Sequence, residues 1–214
     1  MRVVHGPQRW TIACEGASFR DESHPKKPGR TVMALTATMY NFDIQLANVD
    51  RQVYESLSLR VACHPSETPE YLVARVLAFC LEYTEGITFS RGLSDPDEPP
   101  ITVRDLTGTI TSWIEIGAPD AARLHKASKS APRVAVYLHK DPAAQLRAWS
   151  AATIHRADKL ELYAFDRDLL TELVHKLDRR TKFDLSVTDG ELYIDIAGKS
   201  LTGAVTRLSL APTG

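Results

Sequence analysis

The chain reads as an α/β protein: a mixed sheet with helices on its faces. Three observations predict this. Runs with two-residue alternation of apolar and polar side chains recur along the chain. Between them lie runs with helical spacing that open on Thr, Asp or Pro. Near the end, Asp189-Gly190 separates two alternating runs, the strongest short signal for a hairpin.

Residues 1–32 read apart from the rest. The stretch 18–30 is polar, charged and broken by Pro and Gly, without either period. It carries too little apolar surface to offset its own ordering entropy. Two readings fit, a flexible arm or an over-extended start, with residues 33–214 forming the domain. From Met33 the pattern is regular. Thr36, Thr38, Tyr40 and Phe42 share one face of a strand, and Leu35, Ala37 and Met39 the other. Asn48-Val-Asp50 supplies a turn, and Leu57, Leu59, Val61 and Cys63 form a second strand, so the domain opens on a hairpin.

Thr68 then caps a helix with Pro69 in its first turn and Glu70 at the positive end of its dipole. Its apolar spacing runs from Leu72 to Tyr83, and Gly86 ends it. Residues 87–90 are a short strand, 92–100 an acidic turn-rich segment, and 101–104 and 109–116 a hairpin joined by Asp105-Leu-Thr-Gly108. A helix follows from Pro119 to about Ser130, then a strand at 133–138 with apolar residues on both faces, as in a sheet interior. Further elements are a helix at about 142–153, a strand at 160–165, and a helix from Asp166, its cap, to about 177. Strands at 183–187, 191–196 and 205–210 close the chain. The order is ββ, α, βββ, α, β, α, β, α, βββ.

A length of 214 residues suits one well-buried core. The net charge of -1 excludes a generally polybasic nucleic-acid binder, so any phosphate-binding surface must be a local patch. Residues 119–159 offer one candidate, with eight Lys and Arg against three Asp. Cys14, Cys63 and Cys80 are far apart and lack ligand spacing, which argues against a disulfide framework or zinc knuckle and suits a reducing compartment. No apolar run is long enough to span a membrane, and no secretory signal is evident. The expected location is the cytoplasm. Phosphate-binding loops, dinucleotide fingerprints, hydrolase elbows and zinc-protease motifs are missing from the sequence.

Five short motifs occur in a telling order: Met33-Ala-Leu-Thr-Ala-Thr-Met-Tyr40, His64-Pro-Ser-Glu-Thr68, Asp97-Glu-Pro99, Asp105-Leu-Thr-Gly108 and Trp113-Ile-Glu-Ile-Gly117. In order and spacing they resemble the YaeQ family, over nearly the whole chain from Met33. The resemblance implies a bacterial cytoplasmic protein on a variant of the PD-(D/E)XK nuclease core, an αβββαβ unit, here with an added N-terminal hairpin and C-terminal strands. Enzymes of that kind cleave phosphodiesters with Mg²⁺ or Mn²⁺ held by two acids, beside a lysine that handles the attacking water. Carried onto this chain, the metal acids are Asp97, with Glu98 as its neighbour, and Glu115. Glu115 is expected on the less apolar side of its strand, with Thr111 and Trp113, while Ile110, Ile114 and Ile116 face the core. The chain departs from the pattern two residues on, where Gly117 stands in place of the lysine. Lys126 and Lys129 on the next helix are the candidate substitutes, and Glu67 and Asp105 are further site candidates.

Each candidate has a plainer reading. Asp97 and Glu98 suit a solvated acidic turn, Lys126 and Lys129 a solvated helix face, and Asp105 the shaping of its own turn. His64 suits a local backbone contact, His139 has no ligand spacing, and Arg75 suits an ion pair with a nearby carboxylate. Two functions therefore stand. One is a Mg²⁺-dependent nuclease. The other is a catalytically degenerate scaffold that binds nucleic acid or the transcription machinery, because a fold alone does not carry an activity.

Overall fold

A computed structural model describes residues 37–90 and 98–210. The element order read from the sequence is the order found, with one short 3-10 turn added at Ala157–Lys159. The strands are β1 (Thr38–Asn48), β2 (Val53–Cys63), β3 (Ile87–Phe89), β4 (Ile101–Arg104), β5 (Ile110–Ile116), β6 (Arg133–Leu138), β7 (Glu161–Phe165), β8 (Arg180–Thr188), β9 (Glu191–Ile196) and β10 (Lys199–Leu208). The helices are α1 (Pro69–Leu81), α2 (Ala121–Ser130), α3 (Ala143–Ser150) and α4 (Arg167–His175).

These ten strands form one mixed sheet in the order β2-β1-β8-β9-β10-β7-β6-β5-β4-β3. The pairs β1·β8, β5·β6 and β6·β7 are parallel, and the other pairs are antiparallel. Pairing continues from β5 into the next residue, since the Gly117 amide donates to the Tyr137 carbonyl at 2.8 Å. In β8 up to Val187 and in β9 each second residue is buried and the others are exposed, the pattern of a sheet with one solvated face. Strands β5 and β6 are covered on both faces. Ile114, Ile116, Ala135 and Tyr137 join the core under α1 and α4, and Trp113, Val134, Val136 and Leu138 join a second core with Leu124 of α2 and Trp149 of α3.

Helix starts follow side-chain caps. Thr68 accepts from the Tyr71 amide, Asp120 from that of Arg123, and Asp166 from those of Asp168 and Leu169. Helix α3 is shorter than its pattern suggested, opening at Ala143, whose amide donates to the Asp141 carboxylate at 2.9 Å. Its position is set from the side: Gln145 Nε2 and Trp149 Nε1 donate to the Pro119 carbonyl at 3.1 and 2.9 Å, just before α2.

Two expectations are corrected. The alternation of β5 is broken by a register shift, with Val103 opposite Ser112 but Arg104 opposite Ile110. The extra residue, Thr111, donates its hydroxyl to the Val103 carbonyl at 3.2 Å. A bulge turns the side chains before it to the opposite face. Ile110 therefore packs with the Trp113 core and not with Ile114 and Ile116. The final strand is also longer than expected, because a turn at Ala197-Gly198 (φ 50 and 75°) sends the chain back six residues before the anticipated start at Val205.

Candidate functional site

Glu115 lies near the carboxyl-terminal end of β5 and is 3% exposed, so it is buried and not solvated. Trp113, two residues back and on the same side of the strand, is buried with it. The Trp113 indole Nε1 donates to Glu115 Oε1 at 2.7 Å, and Arg123 Nε donates to the same oxygen at 2.6 Å. Burial pushes the Glu115 carboxyl above its ordinary range, against the pull of these two donors.

Arg123 arrives there through local structure. Asp120 caps α2 by accepting from the Arg123 amide at 2.7 Å, which places that residue in the first turn. A helix following a strand in a parallel crossover begins beside the strand's carboxyl end, so its first turn overhangs Glu115. Another Arg123 nitrogen donates to the Glu98 carbonyl at 2.9 Å. One guanidinium thus joins the acid of β5 to the segment entering β4. The Glu98 carboxylate turns elsewhere, lying 3.8 Å from Arg104 with both side chains well exposed. Asp97 lies outside the described residues.

The lysine candidates are placed differently from Arg123. Lys126 and Lys129 are exposed and lie one and two turns further along α2. Among the basic residues of 119–159, Arg123 is held on Glu115, Arg133 on Glu82 and Glu161, and Arg156 on the Ser128 carbonyl.

Glu67, just before α1, accepts from Arg75 at 3.1 Å and from the His64 amide at 3.2 Å. Arg75 is itself buried, donates to the Ala62 carbonyl at 2.6 Å, and lies over the rings of Tyr71 and Phe89. Burial raises the Glu67 carboxyl, with Arg75 opposing. His64 is satisfied locally by Ser66. Asp105 closes its own turn, accepting from the amides of Thr107 and Thr109 and from the Thr107 hydroxyl.

Position 117 explains itself sterically. Gly117 has φ +86°, and a Cβ added there would lie 3.2 Å from His139 Cε1, 3.6 Å from His139 Nδ1 and 3.7 Å from the Tyr71 ring. His139 follows the end of β6 and meets Tyr71 of α1 edge-on, with ring centroids 5.7 Å apart. Burial pushes the Tyr71 phenol up to about 12, and its environment includes the charges of Arg75, Glu67, Glu115 and Arg123. Tyr71 lies under the Arg75 guanidinium, which is 5.9 Å from the ring centroid, and feels the charges of both ion pairs. The carboxyl edges of parallel strands are where open α/β sheets bind ligands.

A second polar cluster lies on the α1 face, in a cleft of about 520 Å³. Arg133 makes two bonds to Glu82 at 2.7 and 2.9 Å and two to Glu161 at 3.1 and 2.6 Å. The Tyr137 and Tyr163 hydroxyls donate to Glu82 and Glu161. These groups satisfy one another, and their partners come from three separate elements, so sequence spacing carried no signal for the cluster.

Among the described residues no helix is long and apolar enough to cross a membrane. Among the same residues, Cys63 and Cys80 are free thiols, half-buried and buried.

Comparison with known proteins agrees over most of the chain. The family model described as YaeQ protein matches residues 33–205. The YaeQ protein of Salmonella typhi is 34% identical over 171 residues, covering 79% of this chain and 94% of the relative. That of Escherichia coli is 33% identical over 165 residues, covering 76% and 90%. Both are described as uncharacterized. The crystal structure of YaeQ from Pseudomonas syringae superposes with a TM-score of 0.75 at 29% identity, covering 83% of this chain and 98% of the other. That from Xanthomonas axonopodis pv. citri gives 0.70 at 30% identity, covering 82% and 100%. With the family model covering the sheet from β1 into β10, and relatives of this identity matched over nearly their full length, the chain belongs to the YaeQ family.

Proposed function

We propose that the chain is a metal-assisted phosphodiester hydrolase acting on nucleic acid, with its centre at the carboxyl-terminal edge of β5. The observation that carries this reading is the reach of one side chain. Arg123 bonds the Glu115 carboxylate and the Glu98 carbonyl together, so the acid of β5 and the Glu98 backbone ahead of β4 lie within a single guanidinium of each other. A cation shared between two acids requires that proximity. The order α1, β3–β5, α2, β6 is also the αβββαβ order of the PD-(D/E)XK nuclease core.

Mg²⁺ takes hard oxygen ligands, commonly one or two carboxylates, and keeps several waters. Glu115 and the Glu98 segment offer oxygens of that kind, although no group of three His, Cys, Asp or Glu gathers among the described residues. The donors fit in kind, and Arg123 sits where a cation would compete with it. Glu115, with Asp97 or Glu98, would hold Mg²⁺ or Mn²⁺, which supplies charge stabilisation at the scissile phosphate and lowers the pKa of bound water. Arg123, once off Glu115, has the planar donor fork that suits phosphate oxygens. Lys126 and Lys129, on the same helix, remain the candidates for the lysine beside the attacking water.

A second reading has its own observation. Glu115 is already satisfied by Trp113 and Arg123, and position 117 has no lysine. That favours a scaffold that binds nucleic acid or transcription proteins without cleaving. Calorimetry with Mn²⁺ on the wild type, Glu115→Gln and Arg123→Met separates the two. The hydrolase reading expects binding that Glu115→Gln loses and Arg123→Met tightens. No binding by either the wild type or Arg123→Met would leave the scaffold reading.

A further inference from the structure

The ten-stranded sheet ends on two edges that differ in kind. At one end β3 has only three residues, and brevity is one way natural sheets blunt an edge. At the other end β2 runs for eleven residues, paired to β1 in unbroken register. It has no proline, no bulge and no lysine, the other common ways of blunting an edge. Among the described residues no strand lies beyond it.

Bonds already made show which backbone groups of β2 are open. The Asn41 and Val49 amides donate to the Arg179 and Val187 carbonyls, each at 2.9 Å, on the β8 side of β1. Successive residues of a strand turn their backbone groups to opposite sides, so odd-numbered residues of β1 serve β8 and even-numbered ones serve β2. The register sets Ile44 opposite Leu57. Odd-numbered residues of β2 therefore bond to β1, and Tyr54, Ser56, Ser58, Arg60 and Ala62 turn their amides and carbonyls outward. A separate bond agrees: the Ala62 carbonyl is taken by Arg75 of α1 at 2.6 Å. The open stretch is thus Tyr54 to Arg60.

We propose that β2 is a dimerisation edge, pairing antiparallel with the β2 of a second copy of this chain about a two-fold axis at Leu57. The inference is independent of the hydrolase reading. A second copy is chosen over a foreign strand because the open stretch is complementary to itself. With the axis at Leu57, Tyr54 lies opposite Arg60 of the second copy and Ser56 opposite Ser58, so every open residue exchanges both of its backbone bonds. An axis at Ser58 sets Tyr54 against the Ala62 carbonyl that Arg75 already holds. An axis at Ser56 sets Arg60 against Gln52, in the turn with φ 55°. The side chains suit the same axis. On the solvated face Tyr54, 64% exposed, meets the exposed Arg60 guanidinium, an aromatic–cation pair made twice. On the α1 face Leu57 meets Leu57 and Val53 meets Val61, which extends the apolar layer these residues already join. Such a contact uses the same patch on both copies, so it closes the edge without propagating.

The experiment uses the full chain and two measurements. The first is sedimentation equilibrium over a concentration series for the wild type and Ser58→Pro. Proline there removes an amide that faces away from β1, so the β1–β2 ladder is kept, and circular dichroism checks the fold. The expected mass is twice the 23.7 kDa of the chain in the wild type and the single-chain mass in Ser58→Pro. A wild type of single-chain mass at every concentration up to the millimolar range would overturn the proposal, and would leave the edge to a foreign strand or to another part of the chain. A dimer that persists in folded Ser58→Pro would overturn it too, because the contact would lie elsewhere. The second measurement does not depend on how that variant folds. Ser56→Cys and Ser58→Cys are mixed and mildly oxidised, and the linked peptides are identified by mass spectrometry. Opposite residues that exchange both bonds have Cα atoms about 5.5 Å apart, within the span of a disulfide. A link joining position 56 of one copy to position 58 of the other is expected. Links between like positions only, or no link, overturn the pairing about Leu57.

Discussion

At the scale of single residues, the Glu115–Arg123 pair is the feature with the clearest consequence. Glu115 is 3% exposed and Arg123 about a quarter exposed. Removing one partner from a buried pair strands the other charge, at a cost of roughly 3 kcal/mol. Arg123→Ala is therefore expected to lose about that much stability at neutral pH. The pH dependence follows from the direction of the Glu115 shift. Its folded carboxyl lies above the ordinary value of 4.5, so the folded state favours its protonated form. Its contribution is most favourable below 4.5 and is lost as pH rises through the folded value. Without Arg123 that value rises further, so the deficit of the variant is full near neutral pH and fades towards pH 4.5. Urea denaturation of both proteins at several pH values checks this, and a deficit independent of pH would contradict it.

At the scale of elements, close approach of α4 to β10 depends on one glycine. A Cβ at Gly203 would lie 2.7 Å from the Leu169 Cβ and 3.1 Å from the Asp166 Cβ, so α4 has no room for it. Alanine in place of a strand glycine ordinarily stabilises by restricting the unfolded chain. Here overpacking outweighs that gain, and Gly203→Ala is expected to destabilise by about 1–3 kcal/mol. A lower urea midpoint is the expected result. A raised midpoint would mean that the helix stands further off. The elements themselves were largely legible. Thr68 and Asp166 announced their helices by capping chemistry, and β4, β6 and β9 have the bounds their patterns suggested. Ile110 was misread because a bulge depends on the partner strand. The early start of β10 was missed because Ala197 adopts a positive φ that its residue type does not advertise.

At the scale of the whole molecule, Arg133 ties together parts of the chain that are distant in sequence. It joins Glu82, just past α1, to β6 and β7. Its guanidinium is pushed further into its charged form by the two carboxylates it holds. Arg133→Met leaves Glu82 buried without a cation, and a loss of about 3–5 kcal/mol is expected at neutral pH. Glu161 has the opposite shift from Glu115: bonds to Arg133 hold its folded carboxyl below the ordinary value. Its stabilisation is therefore present above 4.5 and lost as pH falls through the folded value. The Arg133→Met deficit should accordingly narrow in acid, as urea denaturation at neutral pH and near pH 4 would register. An unchanged midpoint at neutral pH would mean the network contributes nothing to stability.

What the sequence determined by itself was local: which segments are strands or helices, where helices begin, and that the chain alternates in the manner of a mixed sheet. Those properties depend on neighbours within a few positions, through side-chain period, capping and turn chemistry. It also made Glu115 a candidate, because a carboxylate in an apolar strand stands out. Tertiary structure alone decided what surrounds it. The parallel pairing of β1 with β8 and the bulge in β5 depend on contacts far apart in the chain. So do the choice of Arg123 over Lys126 and Lys129 and the seat of His139 against Gly117. No residue's own chemistry or spacing encodes which distant group will meet it, because that is settled only when the layers pack and each buried charge finds its partner.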